Sequence, residues 1–200
     1  MNTSRICYKL TDSQMQTYGG TQWVVGETKR TSGSGKLCGP GWLHWYDDPI
    51  VALMLNPVHA GFVTPRLFVA KWGGKRKDDR GCKSGSTALT LAQEVLPVPA
   101  VTITQRVAFG ILAALEVTQD SSWRKWAERW LSDEGRFVAA PLVAVPRPAV
   151  LANSAAGYAG GRNTDAAAIY GAYAVSNAAI VRRLDLPMIA AWAMALGGDV

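Results

Sequence analysis

Cysteine and histidine are scarce in this chain. Its 200 residues contain three cysteines and two histidines. The cysteines are odd in number and widely spaced, which argues against a disulfide framework and is typical of a reducing compartment. A structural zinc site would need paired ligands two to four residues apart. The four candidate ligands lack this spacing, so neither a metal site nor a bound cofactor is predicted; they are Cys38, His44, His59 and Cys82.

Long apolar runs are missing as well. The longest, at residues 49–55 and 107–115, are too short to span a bilayer, which takes about 20 apolar residues. The N-terminus has no apolar stretch after Arg5, so no secretory signal is expected. Hydrophobic residues still make up 48% of the chain, which is enough for a folded core. A folded protein without a membrane segment is therefore expected.

Two common catalytic patterns are absent. Gly33-Ser34-Gly35-Lys36 contains the Gly-Lys pair of a phosphate-binding loop. That loop also requires a glycine where this chain has Arg30, and a hydroxyl residue where it has Leu37. No Gly-x-Ser-x-Gly segment marks a nucleophilic serine. These absences exclude a Walker-type nucleotide site and leave no sign of a serine hydrolase.

Acidic residues are outnumbered by basic ones. The net charge is +6, of which residues 1–100 carry +5 and residues 101–200 carry +1. A protein that imitates DNA would need a strongly acidic surface, so that class is excluded. The basic excess keeps a protein soluble or favours an anionic partner.

Turn signals predict a strand-rich first half. Short runs of β-branched and aromatic residues end at glycine, proline or polar turn residues, as strands do. The predicted strands are residues 5–10, 21–25, 66–72 and 87–95. Asp47-Asp48-Pro49 is typical of a helix start, so a short helix is predicted at 50–55, ended by Asn56-Pro57. Residues 73–85 are predicted to form a polar, charged loop.

The second half is alanine-rich, with 23 alanines in residues 101–200, and its apolar period is helical. Helices are predicted at about 102–118, 123–131, 149–158 and 164–184. Ser121 or Ser122 is the predicted cap of the second of these. A last helix is expected to start at Asp185-Leu186-Pro187 and to be closed by Gly197-Gly198.

These patterns predict an α+β fold with two domains. The first is a β-rich domain at residues 1–98, and the second is a helical domain at residues 99–200. The proline-rich segment 141–148 interrupts the second domain. Small residues on helix surfaces also permit a dimer through this half.

Three tryptophans recur at helical spacing within one predicted helix. Trp123, Trp126 and Trp130 would form a single stripe. Packed on a neighbouring helix, such a stripe belongs to the core. If the stripe were exposed instead, it would anchor a protein interface. The stripe is predicted to belong to the core.

The strongest candidate for a binding surface is a basic run within thirteen residues. Several flexible cations could neutralise phosphates without reading sequence, and Trp72 could stack on a base. The cations are Lys71, Lys75, Arg76, Lys77, Arg80 and Lys83. Asp78 and Asp79 dilute the run, and the alternative is a charged loop that is simply solvated. The run predicts a nucleic-acid contact.

The enzyme alternative is ADP-ribosyl transfer with NAD as substrate. The order of elements loosely looks like that fold, with His44 after a glycine turn and Glu94 late in the strand-rich half. In such enzymes a late glutamate stabilises developing positive charge. The Glu-x-Glu spacing that marks these enzymes is absent, because the segment reads Leu91-Ala92-Gln93-Glu94.

The order of motifs along the chain resembles a family of phage and prophage proteins of unknown function. The resemblance covers most of the chain and is closest at Trp123-Arg124-Lys125-Trp126-Ala127-Glu128-Arg129-Trp130-Leu131-Ser132. The other motifs are Tyr8-Lys9-Leu10-Thr11-Asp12, Gly39-Pro40-Gly41-Trp42-Leu43-His44, Leu67-Phe68-Val69-Ala70, Asp78-Asp79-Arg80-Gly81-Cys82-Lys83, Leu89-Thr90-Leu91 and Gln105-Arg106-Val107-Ala108-Phe109.

This resemblance implies a viral accessory protein and brings no established activity. The leading hypothesis is a protein that binds a host or viral macromolecular complex in the host cytoplasm, without chemistry of its own and without a membrane partner. Its most concrete version is an inhibitor of a host defence complex such as a CRISPR effector. The alternatives are the ADP-ribosyltransferase-like enzyme and a structural component of the virion.

Overall fold

The computed structural model describes residues 6–136 and 138–196. The chain forms two compact units, residues 1–100 and 101–200. The first unit is built on antiparallel strands and the second on helices, so the predicted α+β class is confirmed. In the described ranges, no helix is both long and apolar enough to cross a membrane.

One antiparallel sheet organises the first unit. Its strands are β1 (Ile6–Thr11), β4 (Thr28–Arg30), β5 (Leu43–Trp45), β6 (Arg66–Asp78) and β7 (Ser84–Glu94). The order across the sheet is β1-β6-β7-β4, and β5 also pairs with β7. A separate two-stranded ribbon joins β2 (Gln16–Thr17) to β3 (Thr21–Gln22). The long hairpin β6–β7 is therefore the centre of the unit.

Large apolar side chains fill one core beside this hairpin. Trp23 and Trp45 are among the fully buried residues, and Trp45 stacks on Trp72 with ring centroids 5.6 Å apart. The cluster is completed by Cys7, Leu43, Phe68, Ala70, Leu89 and Leu91. Only Thr21–Gln22 of the predicted strand 21–25 is a strand, because Trp23 packs in this core and donates Nε1–H to Thr17 Oγ1 at 2.9 Å.

The helix that follows β5 is longer than its sequence predicts. Helix α1 (Pro49–His59) starts as expected, with Asp48 accepting hydrogen bonds from the N–H groups of Ile50 and Val51. The predicted stop at Asn56-Pro57 is wrong. Proline lacks an N–H and usually ends a helix, yet Pro57 lies in the last turn, where one lost hydrogen bond costs least. The side-chain amide of Asn56 then ties the following loop by two hydrogen bonds to Phe62.

His59, at the end of α1, is expected to make the fold sensitive to acid. Its Nδ1 is closed off from solvent without a hydrogen-bond partner in the described chain, and its ring stacks on Tyr46 at 6.0 Å. Burial, followed by the charges of Lys83 and His44, lowers the pKa of His59 to about 3. This outweighs the helix C-terminus, which favours the charged form.

Between pH 6.5 and 3 the unfolded chain therefore binds a proton at His59 that the folded chain does not, and stability falls as pH falls. We expect the urea midpoint to drop between pH 7 and pH 5, and to drop less in the variant His59→Phe, which keeps a ring against Tyr46. Tryptophan fluorescence would follow the unfolding. An equal drop in both proteins would contradict this assignment.

The prediction of a charged loop at residues 73–85 is wrong, because most of these residues lie in strands. β6 continues to Asp78 and β7 begins at Ser84, so that the connecting turn is only residues 79–83. Gly73-Gly74, at the start of the predicted loop, forms an irregularity in the ladder, where the register shifts between Gly73 and Arg76. Gly74 has φ of 74°, and a side chain there would collide with Thr87. Glycine here permits a bulge and does not end the strand.

In the described part of the second unit, residues 101–136 and 138–196, the chain forms five α-helices. They are α2 (Ile103–Leu115), α3 (Ser121–Leu131), α4 (Arg147–Gly160), α5 (Thr164–Val181) and α6 (Leu186–Ala195). Thr102 and Gln105 form a reciprocal capping box at the start of α2. The cap of α3 is Asp120, not a serine, since its carboxylate accepts from the Trp123 N–H at 2.8 Å. Asp185 caps α6 as predicted, and Gly197-Gly198 lies outside the described residues.

The tryptophan stripe belongs to the core, as predicted. Trp123, Trp126 and Trp130 are 0%, 7% and 2% exposed. Trp123 donates its indole N–H to Asn153 Oδ1 on α4 at 2.7 Å, and Trp126 donates to the Val138 carbonyl at 2.8 Å. These bonds join α3 to the neighbouring helix and to the segment that follows α3.

Candidate functional site

His44 lies in β5 beneath the loop 33–42. Its Nε2 makes a short hydrogen bond with the carbonyl of Leu37, and its own carbonyl accepts from Lys9 Nζ at 2.8 Å. Burial lowers the pKa of His44, although the Leu37 contact opposes the shift. The ring is thus half-buried and neutral near pH 7, and its Nε2 is engaged by a backbone carbonyl. These surroundings are those of a structural histidine.

Glu94 lies at the other end of the sheet. Both of its carboxylate oxygens bind the Arg66 guanidinium, at 2.7 and 2.6 Å. This hydrogen-bonded pair lowers the pKa of Glu94. On β7 the partner of His44 is Gly85, so nine residues of strand separate it from Glu94. At 3.3 Å per residue this is roughly 30 Å. His44 and Glu94 are therefore not brought into one site.

Arg76 is used to hold the hairpin together. Its guanidinium lies 4.9 Å from the ring centroid of Trp45 and 5.6 Å from that of Trp72. Its Nη2 also lies 3.1 Å from Asp47 Oδ2 and 3.1 Å from Ser84 Oγ. A guanidinium with both its face and its edge occupied is poorly placed to bind an external phosphate.

Trp72 and Lys83 are also withdrawn from the surface. Trp72 is half-buried and stacks on Trp45, and Arg76 contacts both rings, so the Trp72 ring is engaged within the fold. Lys83 is 8% exposed, at the foot of β7 beside the turn. The basic run is therefore divided into structural residues and exposed ones.

The exposed part of the run faces a glycine-rich loop. Lys77 donates Nζ–H to the Gly35 carbonyl at 2.7 Å and lies 4.9 Å from the ring centroid of Trp42. Lys75 is exposed beside Gly33, where an added Cβ would lie 3.7 Å from its Cδ. The same loop carries Lys36, whose side chain is exposed. We call Lys36, Lys75 and Lys77 the basic surface.

Lys71 and Arg80 are exposed at other places on the hairpin. Lys71 pairs with Ile6 across β1 and β6, whereas Arg80 lies in the turn between β6 and β7 with φ of 52°. Arg80 follows Lys77 by three residues, so their Cα atoms are at most about 11 Å apart. Arg80 therefore lies near the end of the strand that carries Lys77.

The charges on the hairpin do not cancel at the basic surface. Asp47 and Asp78 lie 3.1 and 3.9 Å from the Arg76 guanidinium and offset that cation. Asp79 remains in the turn, where it is next to Arg80. The lysines of the basic surface have no ion pair with a described residue, so their charges are not offset there.

Lys36 is the site residue that sequence reasoning missed. Its Gly-Lys context does not fit a Walker loop, because two positions of that pattern fail. The remaining signal was the glycine and serine content of residues 31–36, which marks a loop able to lie close against a strand. Its proximity to Lys75 and Lys77 depends on the fold.

Lys9 is a second residue whose environment the sequence did not indicate. It is 7% exposed, with Nζ 2.8 Å from the His44 carbonyl and 5.2 Å from the centroid of Trp23. Burial lowers the pKa of Lys9 to about 8. The hydrogen bond to the backbone of β5 and the contact with Trp23 account for the burial of Lys9, which is therefore a structural residue.

The three cysteines are free, with Cys7 and Cys82 buried and Cys38 exposed. Across residues 6–136 and 138–196, no three His, Cys, Asp or Glu side chains are grouped so that they could hold a metal ion. Comparisons with protein-family models, with curated proteins and with solved structures find no match to this chain.

Proposed function

We propose that this chain is a phage accessory protein that acts by binding a macromolecular partner in the host cytoplasm. The basic surface, Lys36, Lys75 and Lys77, is its contact for the phosphate backbone of a nucleic acid. The most concrete setting is a host defence complex that contains nucleic acid, such as a CRISPR effector. The observation that carries the proposal is that exposed Lys75 and Lys77 lie against the loop that carries exposed Lys36, with Lys75 beside Gly33 and Lys77 bound to the Gly35 carbonyl.

The way the lysines are held supports this proposal. Lys75 and Lys77 are on a paired strand, and Lys77 is oriented by the Gly35 carbonyl and the Trp42 ring. Less side-chain freedom is then lost on binding than for lysines in a mobile loop. Phosphate contacts of this kind position a nucleic acid without reading its sequence.

Binding is favoured over catalysis by the placement of the candidate catalytic residues. His44 is held by the backbone of Leu37, and Glu94 is held by Arg66 at the far end of β7. A transferase site would need both His44 and Glu94 to reach one substrate. Their separation along the strand is too large for both to act on one NAD molecule.

The test is a charge reversal with a matched control. We expect Lys36→Glu combined with Lys75→Glu to weaken binding to a labelled duplex or single-stranded oligonucleotide at least about tenfold, because two phosphate contacts are lost. The slope of log affinity against log salt should fall by about 2 for the duplex. Fluorescence anisotropy at several salt concentrations measures both quantities.

The control is Lys125→Glu combined with Arg147→Glu, two exposed cations of the helical unit. It changes the net charge equally but leaves the basic surface intact. Equal weakening by both double variants would show that net charge alone is responsible and would refute the site. An affinity purification from infected host lysate, with and without nuclease, then identifies the complex. Loss of the captured complex after nuclease treatment is the expected outcome.

A further inference from the structure

The helical unit contains a cavity of about 640 Å³ that the proposed function does not use. It lies beside the ends of α3 and α4 and the start of α2. Its walls include Ile103, Ala156 and Ala159, which are apolar, and Trp130, Arg136 and Arg162, which carry hydrogen-bond donors. Its volume is within the range of small-molecule sites, about 300–1,000 Å³.

Trp130, which lines this cavity, has a buried donor without a partner. Trp130 is 2% exposed, and its Nε1–H has no hydrogen-bond partner among the described residues. A buried indole normally finds an acceptor, since an unmet N–H costs free energy. The nitrogen atom itself is closed off from solvent, so Trp130 lines the cavity through its ring.

Arg136 adds hydrogen-bond donors at the same wall. Its side chain is 15% exposed and its guanidinium lies 5.4 Å from the centroid of the Trp130 ring. Its Nε lies 3.0 Å from Asp133 Oδ1, but the two groups are not aligned for a hydrogen bond. Asp133 thus partly offsets the charge of Arg136, while the guanidinium still has N–H groups that can donate hydrogen bonds.

The charge balance of the cavity is positive. Arg136 and Arg162 contribute two cations, and Asp133 contributes one carboxylate that is 60% exposed. Arg162 is exposed and makes no ion pair with another described residue. One negative charge would balance the site, which selects for a monoanion.

Arg162 stands where a glycine would be expected. It follows Gly161, the C-cap of α4, and has φ of 60°, in the left-handed region. This position after a helix end is usually glycine, because a side chain there is strained. An arginine at the mouth of a cavity, kept in an unfavourable conformation, points to a role other than ending the helix.

We propose that this cavity binds a small organic monocarboxylate with an apolar, planar body. The carboxylate is held by the Arg136 and Arg162 guanidinium groups, and the Trp130 ring forms part of the wall. The body lies against the wall of Ala156 and Ala159, whose small side chains leave a flat apolar surface.

The probes are 1-naphthaleneacetate and its neutral analogue 1-naphthaleneacetamide, titrated into the full chain and followed by ligand-observed NMR. We expect saturable binding of the carboxylate at one site, and binding of the amide weaker by roughly tenfold, the change that about 1.4 kcal/mol produces. Ala159→Leu, which fills the wall, should abolish binding of both. Absence of saturable binding, or equal affinity for the two probes, would overturn the proposal.

Arg162→Gly separates a binding role from a structural one. It relieves the left-handed conformation, so the variant should melt at a higher temperature while its affinity for 1-naphthaleneacetate falls roughly tenfold. Arg147→Gln, at the other end of α4, is the control and should leave affinity unchanged. If Arg162→Gly raises the melting temperature without changing affinity, the arginine is not part of a site and the proposal is wrong.

Discussion

Replacing Trp123 with alanine is expected to lower the free energy of unfolding of the helical unit by about 3–5 kcal/mol, the usual cost of removing a buried tryptophan. Trp123 is fully buried, and its ring packs against Trp126 with centroids 5.7 Å apart. The truncation removes this contact and leaves Asn153 without the indole donor that it accepts from at 2.7 Å. Urea unfolding followed by circular dichroism at 222 nm measures the effect, since the signal comes mainly from the helices.

Two variants separate the causes of this loss. Trp123→Phe keeps an aromatic ring but removes the N–H, so its cost should be smaller than that of the alanine variant. Arg129→Ala changes an exposed residue on the same helix and should alter stability by no more than about 0.5 kcal/mol. A loss below about 1 kcal/mol for Trp123→Ala would mean that the stripe is not a core element and that an interface role has to be reconsidered.

The elements that were predictable are those governed by neighbours in the chain. Thr102 with Gln105, and Asp185 before Leu186-Pro187, start helices through side-chain caps within three residues of the helix start. The tryptophan stripe was predictable for the same reason, because helical spacing alone places its members on one face. Local signals of this kind require no knowledge of the rest of the fold.

The full length of the hairpin was missed because strand pairing depends on a partner that the composition of residues 73–78 does not indicate. Gly73-Gly74 and the charges that follow are typical of a loop when taken alone. In the fold this stretch pairs with β7, and Thr87 Oγ1 accepts a hydrogen bond from the Lys75 N–H at 3.0 Å. The partner strand begins six residues after Asp78. Pairing with it makes this polar stretch one strand of an antiparallel ladder, and the composition of the stretch does not indicate that partner.

The cations of the hairpin were predictable as a group, but their exposure was not predictable one by one. The sequence located the cations of the hairpin, but Asp47 and the tryptophans decide that Arg76 is structural. The same fold decides that Lys83 is buried and that Lys36 belongs with Lys75. Charge content is a property of the chain, whereas the availability of each charge is a property of its three-dimensional neighbours.

The close crossing of α2 and α5 leads to a prediction that opposes helix propensity. Gly171 lies inside α5, where alanine is intrinsically favoured by up to about 1 kcal/mol. A Cβ at Gly171, however, would lie 2.7 Å from the Arg106 carbonyl oxygen of α2, and backbone cannot move aside as a flexible side chain can. We therefore expect Gly171→Ala to destabilise the helical unit, by about 1–3 kcal/mol for overpacking of this kind.

Gly157 in α4 provides the matched control, because a Cβ there meets nothing within 4 Å. Gly157→Ala should stabilise the unit by about 0.5–1 kcal/mol. Gly110 of α2 faces Gly171 with its own added Cβ 3.0 Å from the Gly171 Cα, so the two alanine variants should not add independently. Opposite signs for Gly171→Ala and Gly157→Ala, measured by the same urea titration, are the signature of a helix contact set by backbone approach. If both substitutions stabilise, helix propensity governs α5 and the two helices are not held together at these glycines.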